Sequence, residues 1–239
     1  MRSIVLVIIA ASSLVFSPCI PKGASAGGAE EQVCDSRADY FLGVEDYSEA
    51  IRFHLEVVRQ HPDNALAHYH LGFALGIVGN RMAEVTEYQR AEALGLTSWD
   101  LFLNLGLAQL DDGDLDAATG SLRRAVLLGE NHSESHFNLA LVEERRGMLA
   151  DAEHETLVSL LLNPGQPDTR NLLGVIYAQK GETSRAFQIW RDLVRDQPDY
   201  QPARTNLAIL GNLNRVASGE TAALDLPRAA AVNAILDEG

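Results

Sequence analysis

Apolar residues recur at helical spacing through most of the chain, in blocks that come in pairs. Phe102, Leu105, Leu107, Ala108 and Leu110 make one stripe. Gly113-Asp114 interrupts it, and Ala117, Ala118, Leu122, Ala125, Val126 and Leu128 make a second, at the steps of an amphipathic helix. The same pair returns as Leu173, Val175, Ile176 and Tyr177, then Gly181-Glu182, then Ala186, Phe187, Ile189, Trp190, Leu193 and Val194, with Pro198 as a stop.

These pairs repeat at a fixed interval. Leu71-Gly72, Leu105-Gly106, Leu139-Ala140, Leu173-Gly174 and Leu207-Ala208 follow one another at 34 residues. Gly79, Gly113, Gly147 and Gly181 form a second series at that period. Ala50, Glu84, Ala118, Ala152 and Ala186 form a third, and Pro62, Leu96, Glu130, Pro164 and Pro198 a fourth. The register predicts five units, at 31–64, 65–98, 99–132, 133–166 and 167–200. A sixth first helix is expected from about Gln201 to Arg215, and capping helices complete 201–239, with a last one from Asp225 through Leu236. Glycine inside a helix costs about 1 kcal/mol. Its repetition at positions 72, 106 and 174 therefore predicts close helix crossings, with Ala118, Ala152 and Ala186 as the facing small surfaces.

The pattern resembles the tetratricopeptide repeat family. The fullest match is Leu173, Gly174, Tyr177, Gly181, Ala186, Trp190 and Pro198, and the resemblance runs from Glu31 to Tyr200. Three positions depart from it: Arg37-Ala38 replaces Leu-Gly, Glu45 replaces the turn glycine, and Glu84 replaces the small residue. The resemblance implies an all-α fold, a right-handed α-α superhelix (α-solenoid) of tandem helix-turn-helix repeats. It also implies that the fifth, sixth and ninth residues of each unit face a concave groove. Those are Tyr69, His70 and Phe73; Leu103, Asn104 and Leu107; Phe137, Asn138 and Leu141; Asn171, Leu172 and Val175; Thr205, Asn206 and Ile209. The Asn104, Asn138 and Asn206 carboxamides, each offering donors and an acceptor, are the expected grip on an extended peptide backbone.

The N-terminus reads differently. Arg2, an apolar run from Ser3 to Phe16 and the small residues Gly23-Ala24-Ser25-Ala26 have the order of a signal peptide, residues 1–26, with cleavage near Ala26. The run is short for a membrane span. The reading is of an exported bacterial protein, periplasmic or secreted, not transmembrane once processed, with 27–239 as one domain. Cys19 offers a lipoprotein alternative, against which Pro18 counts. Cys34 is then the one cysteine left, expected to be buried or to pair between chains.

Charge narrows the partner. The chain carries 33 acidic against 19 basic residues, a net charge of −14, and removal of the leader makes it −16. Nucleic acid is excluded as a backbone-type partner, since phosphate contacts need clustered positive charge. A protein or peptide with apolar anchors and basic flanks suits a wall carrying Tyr69, Phe73 and Phe137 beside Asp100, Asp111, Glu134, Glu144 and Asp168. A Lys/Arg clamp for a C-terminal carboxylate is not expected. Self-association is the alternative.

Catalysis and cofactors are not expected. There is no P-loop or dinucleotide fingerprint, and Gly23-Ala24-Ser25-Ala26-Gly27, which fits Gly-x-Ser-x-Gly, falls at the expected leader cleavage site. No metal is expected either: His68 and His70 do not share a helix face, His136 reads as a packing residue and His132 as a cap. Asp111-Asp112-Gly113-Asp114 falls on a repeat turn and lacks a complete calcium loop. A metal-binding or enzymatic accessory role is the remaining alternative. Arg123-Arg124 and Arg145-Arg146 read as solvated helix ends or docking points.

Overall fold

A computed structural model describes residues 35–217 of the chain, with side chains to 212. The leader with Cys19, the Cys34 thiol and the helix expected after Asp225 lie outside the described residues. Helices α1 (Ser36–Gly43), α3 (Ala65–Ile77), α5 (Trp99–Asp111), α7 (Ser133–Arg145), α9 (Pro167–Gln179) and α11 (Gln201–Ala217) are first helices of their units. Helices α2 (Tyr47–Gln60), α4 (Arg81–Ala93), α6 (Leu115–Leu128), α8 (Leu149–Leu162) and α10 (Thr183–Asp196) are second helices. The chain is an all-α solenoid of helical repeats.

Local chemistry sets the helix ends. Asp46, Asn64, Ser98 and Asp114 each accept a backbone N–H three residues on, at 3.0 to 3.4 Å. Within each unit the chain leaves the first helix through a residue at positive φ: Gly79 at 80°, Gly113 at 80°, Gly147 at 75° and Gly181 at 81°. The next N–H then reaches back to a carbonyl inside the helix, as Asp114 N does to Gln109 O at 2.9 Å. The first unit makes the same turn with Glu45 at 61°, a conformation that a side chain disfavours.

Packing within a unit follows a size rule. A Cβ on Gly72 would meet Tyr88 at 2.7 Å, on Gly106 Leu122 at 2.6 Å, and on Gly174 the Trp190 ring at 2.6 Å. The large residue sixteen positions after the glycine fills its place. Where the fourth unit has Ala140, that partner is the smaller Thr156, also fully buried. Ala118, Ala152 and Ala186 are fully buried, but the side chains that press on the glycines belong to the residue four further on.

The first helices α3, α5, α7 and α9 are buried on most of their surface, and second helices on one face only. Successive first helices from α3 to α11 also touch one another, whereas successive second helices make no comparable contact. The stack therefore curves with the first helices inside. Among the described residues no helix is long and apolar enough to cross a membrane.

Candidate functional site

The inner wall differs from the expected groove in one respect. Tyr69, His70, Phe73, Leu103, Asn104, Leu107, Phe137, Asn138, Leu141, Asn171, Leu172, Val175 and Asn206 are all buried. Only Thr205 is exposed, and Ile209 is half-buried. The fifth residue of one unit and the sixth of the next lie at the seam between two first helices, not on an open surface.

The asparagines therefore work between repeats. Asn206 Nδ2 donates to Asn171 Oδ1 at 3.0 Å, and Asn104 Nδ2 donates to the Tyr69 hydroxyl at 3.2 Å. Asn138 faces Leu103, which has no polar side-chain atom, so it turns to Glu134 O of its own helix at 2.9 Å. At the next seam the pair is Phe137 and Leu172, both in the core. At a spacing of 35 residues two seams pair polar with polar, one pairs apolar with apolar, and the Leu103–Asn138 seam is mixed. That spacing was readable in the sequence, but the interval of 34 conceals it. The expected backbone grip by Asn104 and Asn206 is accordingly corrected: their amides are engaged within the protein.

What the wall does present is carboxylate. Asp100, Glu134 and Asp168 occupy the second position of α5, α7 and α9, three adjoining first helices. The Tyr69 hydroxyl donates to Asp100 at 3.2 Å and the Tyr200 hydroxyl to Asp168 at 2.6 Å. Burial raises the Glu134 carboxyl above the ordinary carboxylate range. Burial also raises Glu144, against the Gln179 amide that donates to it. Asp111 is held by Arg81 at 2.8 Å. Phe73 and Phe137 are buried in the core, and Ile77 at the end of α3 is exposed.

Most other singled-out residues serve the stack. His68 Nδ1 lies 2.6 Å from Glu87 and His136 Nδ1 2.6 Å from Glu155, with their Nε2 atoms near Pro62 O and Glu130 O. His132 stacks on Trp99 with ring centroids 3.7 Å apart. His70 Nδ1 lies 2.8 Å from Asp39. Asp114 caps α6, and Asp116 pairs with Arg146 at 2.7 Å, so the turn acids are spent on structure. Arg123 pairs with Glu143 at 3.1 Å and Arg124 with Glu92, while Arg145 is exposed. On the outer face, a cleft of about 350 Å³ opens beside Arg123, Leu127, Asp151 and His154. Its walls come from two units, and no short motif announces it.

The family comparison agrees with this geometry. Residues 103–167 match the tetratricopeptide repeat family. Over that stretch the chain is similar to tetratricopeptide repeats. Among solved structures, the repeat protein is similar to YrrB, described as a tetratricopeptide-repeat protein with an unusual peptide-binding site. They share 25% identity over 70% of this chain and 87% of that one, with a TM-score of 0.67. It also shares the fold of MamA, at 21% identity over 70% and 97% of the two chains and a TM-score of 0.65. MamA from Desulfovibrio magneticus aligns at 17% identity over 69% and 93%, with a TM-score of 0.64. No curated protein sequence matches the chain. Proteins built from this repeat are in general interaction scaffolds rather than catalysts.

Proposed function

We propose that this repeat protein is a non-catalytic adaptor whose inner wall holds an extended segment of another protein. The observation that carries the reading is the in-register row Asp100, Glu134 and Asp168 at the second position of three adjoining first helices. A bound strand with alternating apolar and Lys/Arg residues would set its cations against that row. The peptide-binding site named for YrrB, with which it shares 25% identity over 70% of this chain, supports the same class of partner. The signal-peptide order of residues 1–26 supports export to the bacterial envelope, periplasmic or secreted, as part of this reading. N-terminal sequencing of the mature protein tests that, with Gly27 as the expected first residue.

The binding test is fluorescence anisotropy with extended peptides that differ only in carrying basic or acidic flanks. Basic peptides should bind more tightly, the preference should shrink with salt, and Glu134→Lys should weaken binding at least about tenfold. Equal binding of both peptide sets, or an unaffected Glu134→Lys, overturns the reading.

Self-assembly is a second reading with its own observation. Leu127 and Leu161, near the ends of α6 and α8, are 74% and 81% exposed, with Leu128, Leu157 and Leu162 also open. Exposed apolar residues grouped in this way mark association surfaces. Light scattering across concentration decides it, and a strict monomer removes it.

A further inference from the structure

The first unit departs from the others at two positions, and the second unit at one, that meet in space. Asp39 of α1 stands where later units carry Phe73, Leu107, Leu141 and Val175. His54 of α2 stands where they carry Tyr88, Leu122, Thr156 and Trp190. His70 of α3 stands where they carry Asn104, Asn138, Leu172 and Asn206. His70 Nδ1 lies 2.8 Å from Asp39 Oδ1, and His54 Nε2 lies 3.8 Å from the same oxygen. One donor atom from each residue falls within 4.8 Å of the other two. The two imidazoles meet edge to face, with centroids 5.3 Å apart.

His54 supplies the reason to look further. It is fully buried, and neither of its ring nitrogens has a hydrogen-bond partner. An apolar side chain would fill this berth without leaving polar atoms unpaired, as Leu122 does in the third unit. We propose that Asp39, His54 and His70 form a binding site for a first-row divalent transition-metal ion of the Zn²⁺ or Co²⁺ class. Two imidazoles and one carboxylate suit those ions, whereas Ca²⁺ and Mg²⁺ prefer oxygen donors throughout. Metal–ligand bonds of about 2.0–2.2 Å place tetrahedral ligand atoms roughly 3.4 Å apart. The observed separations bracket that value, so small side-chain rotations close the set. The Asp39 side chain is 30% exposed and gives a path to solvent, with room for water as a further ligand. The three residues come from three helices, so a bound ion ties the first unit to the second.

The test uses the full chain, without a histidine tag and stripped with chelator. Titration with Co²⁺ should give visible d–d absorption that saturates at one equivalent, and Zn²⁺ should displace it and raise Tm. His70→Asn and His54→Leu restore residues that other units carry at these positions, so each should keep the helical circular dichroism. Each should weaken the metal at least about 100-fold. A wild-type chain that takes up no stoichiometric Co²⁺ overturns the proposal. So does a folded variant that binds as tightly as wild type. Should one variant fail to fold, X-ray absorption of the Zn²⁺-loaded wild type still decides: imidazole scattering from two rings supports the site, and its absence overturns it.

Discussion

The Glu84 carboxyl carbon lies 2.5 Å from where a Cβ on Gly76 would sit. Glu84 occupies the place that Ala118, Ala152 and Ala186 hold in later units, and Gly76 the place that Leu110 holds in the third. The second unit has exchanged large for small across one contact. Gly76→Leu should therefore cost about 1–3 kcal/mol in the wild-type background through overpacking. With Glu84→Ala already present, the same change should cost little. Urea denaturation of the two single variants and the double gives the coupling energy, expected at about 1–3 kcal/mol. A coupling near zero would remove the exchange.

Glu84 also gives the protein a pH dependence. Burial raises its carboxyl above the ordinary value of 4.5, and burial likewise raises Glu134, Glu143 and Glu144. Below the ordinary value both folded and unfolded chains hold these protons. As pH climbs from there through the raised folded values, the unfolded chain has released protons that the folded chain still binds, so stability falls. Glu84→Gln cannot ionise. Its stability relative to wild type should rise across that window, as measured by urea denaturation between about pH 4 and pH 7. A constant difference would mean that Glu84 does not titrate abnormally.

The first-unit turn is strained at one residue. Glu45 adopts φ 61° where the other units use glycine. Positive φ costs a side chain about 1–2 kcal/mol, part of which the freer unfolded glycine gives back. Glu45→Gly should raise stability by about 0.5–1 kcal/mol. Thermal denaturation checks it, and a lower Tm would contradict the turn.

The asparagine clasps predict stability effects. Asn206→Ala removes the donor to Asn171 at a buried seam and should cost about 1–3 kcal/mol. A double Asn171→Phe and Asn206→Leu exchange copies the Phe137 and Leu172 seam and should recover most of that loss. Denaturant titration of both variants measures it.

Much of the fold was legible before any coordinates, because a two-helix unit that cannot bury its apolar face alone must repeat it. The 34-residue register of the Leu-Gly pairs and the turn glycines anticipates the alternation of first helix, turn and second helix in α5–α6 and α9–α10, since periodicity and helix-end chemistry are local. The site was less legible. The same register led to Asn104 and Asn206 as open groove residues, because it counts positions within one unit. Whether a carboxamide meets a ligand or a neighbour depends on how closely two units approach.

The sequence by itself therefore determined the helix pairs, their turns and their stacking order, all of which follow from short-range spacing. Tertiary structure alone decided which side chains the seams enclose. It closed Tyr69 on Asn104 and Asn171 on Asn206, and left Asp100, Glu134 and Asp168 in a row on the inner wall. It also brought Asp39, His54 and His70 from three helices to one point. The physical reason is distance: contacts between units depend on the approach and angle of whole helices, which no local pattern specifies.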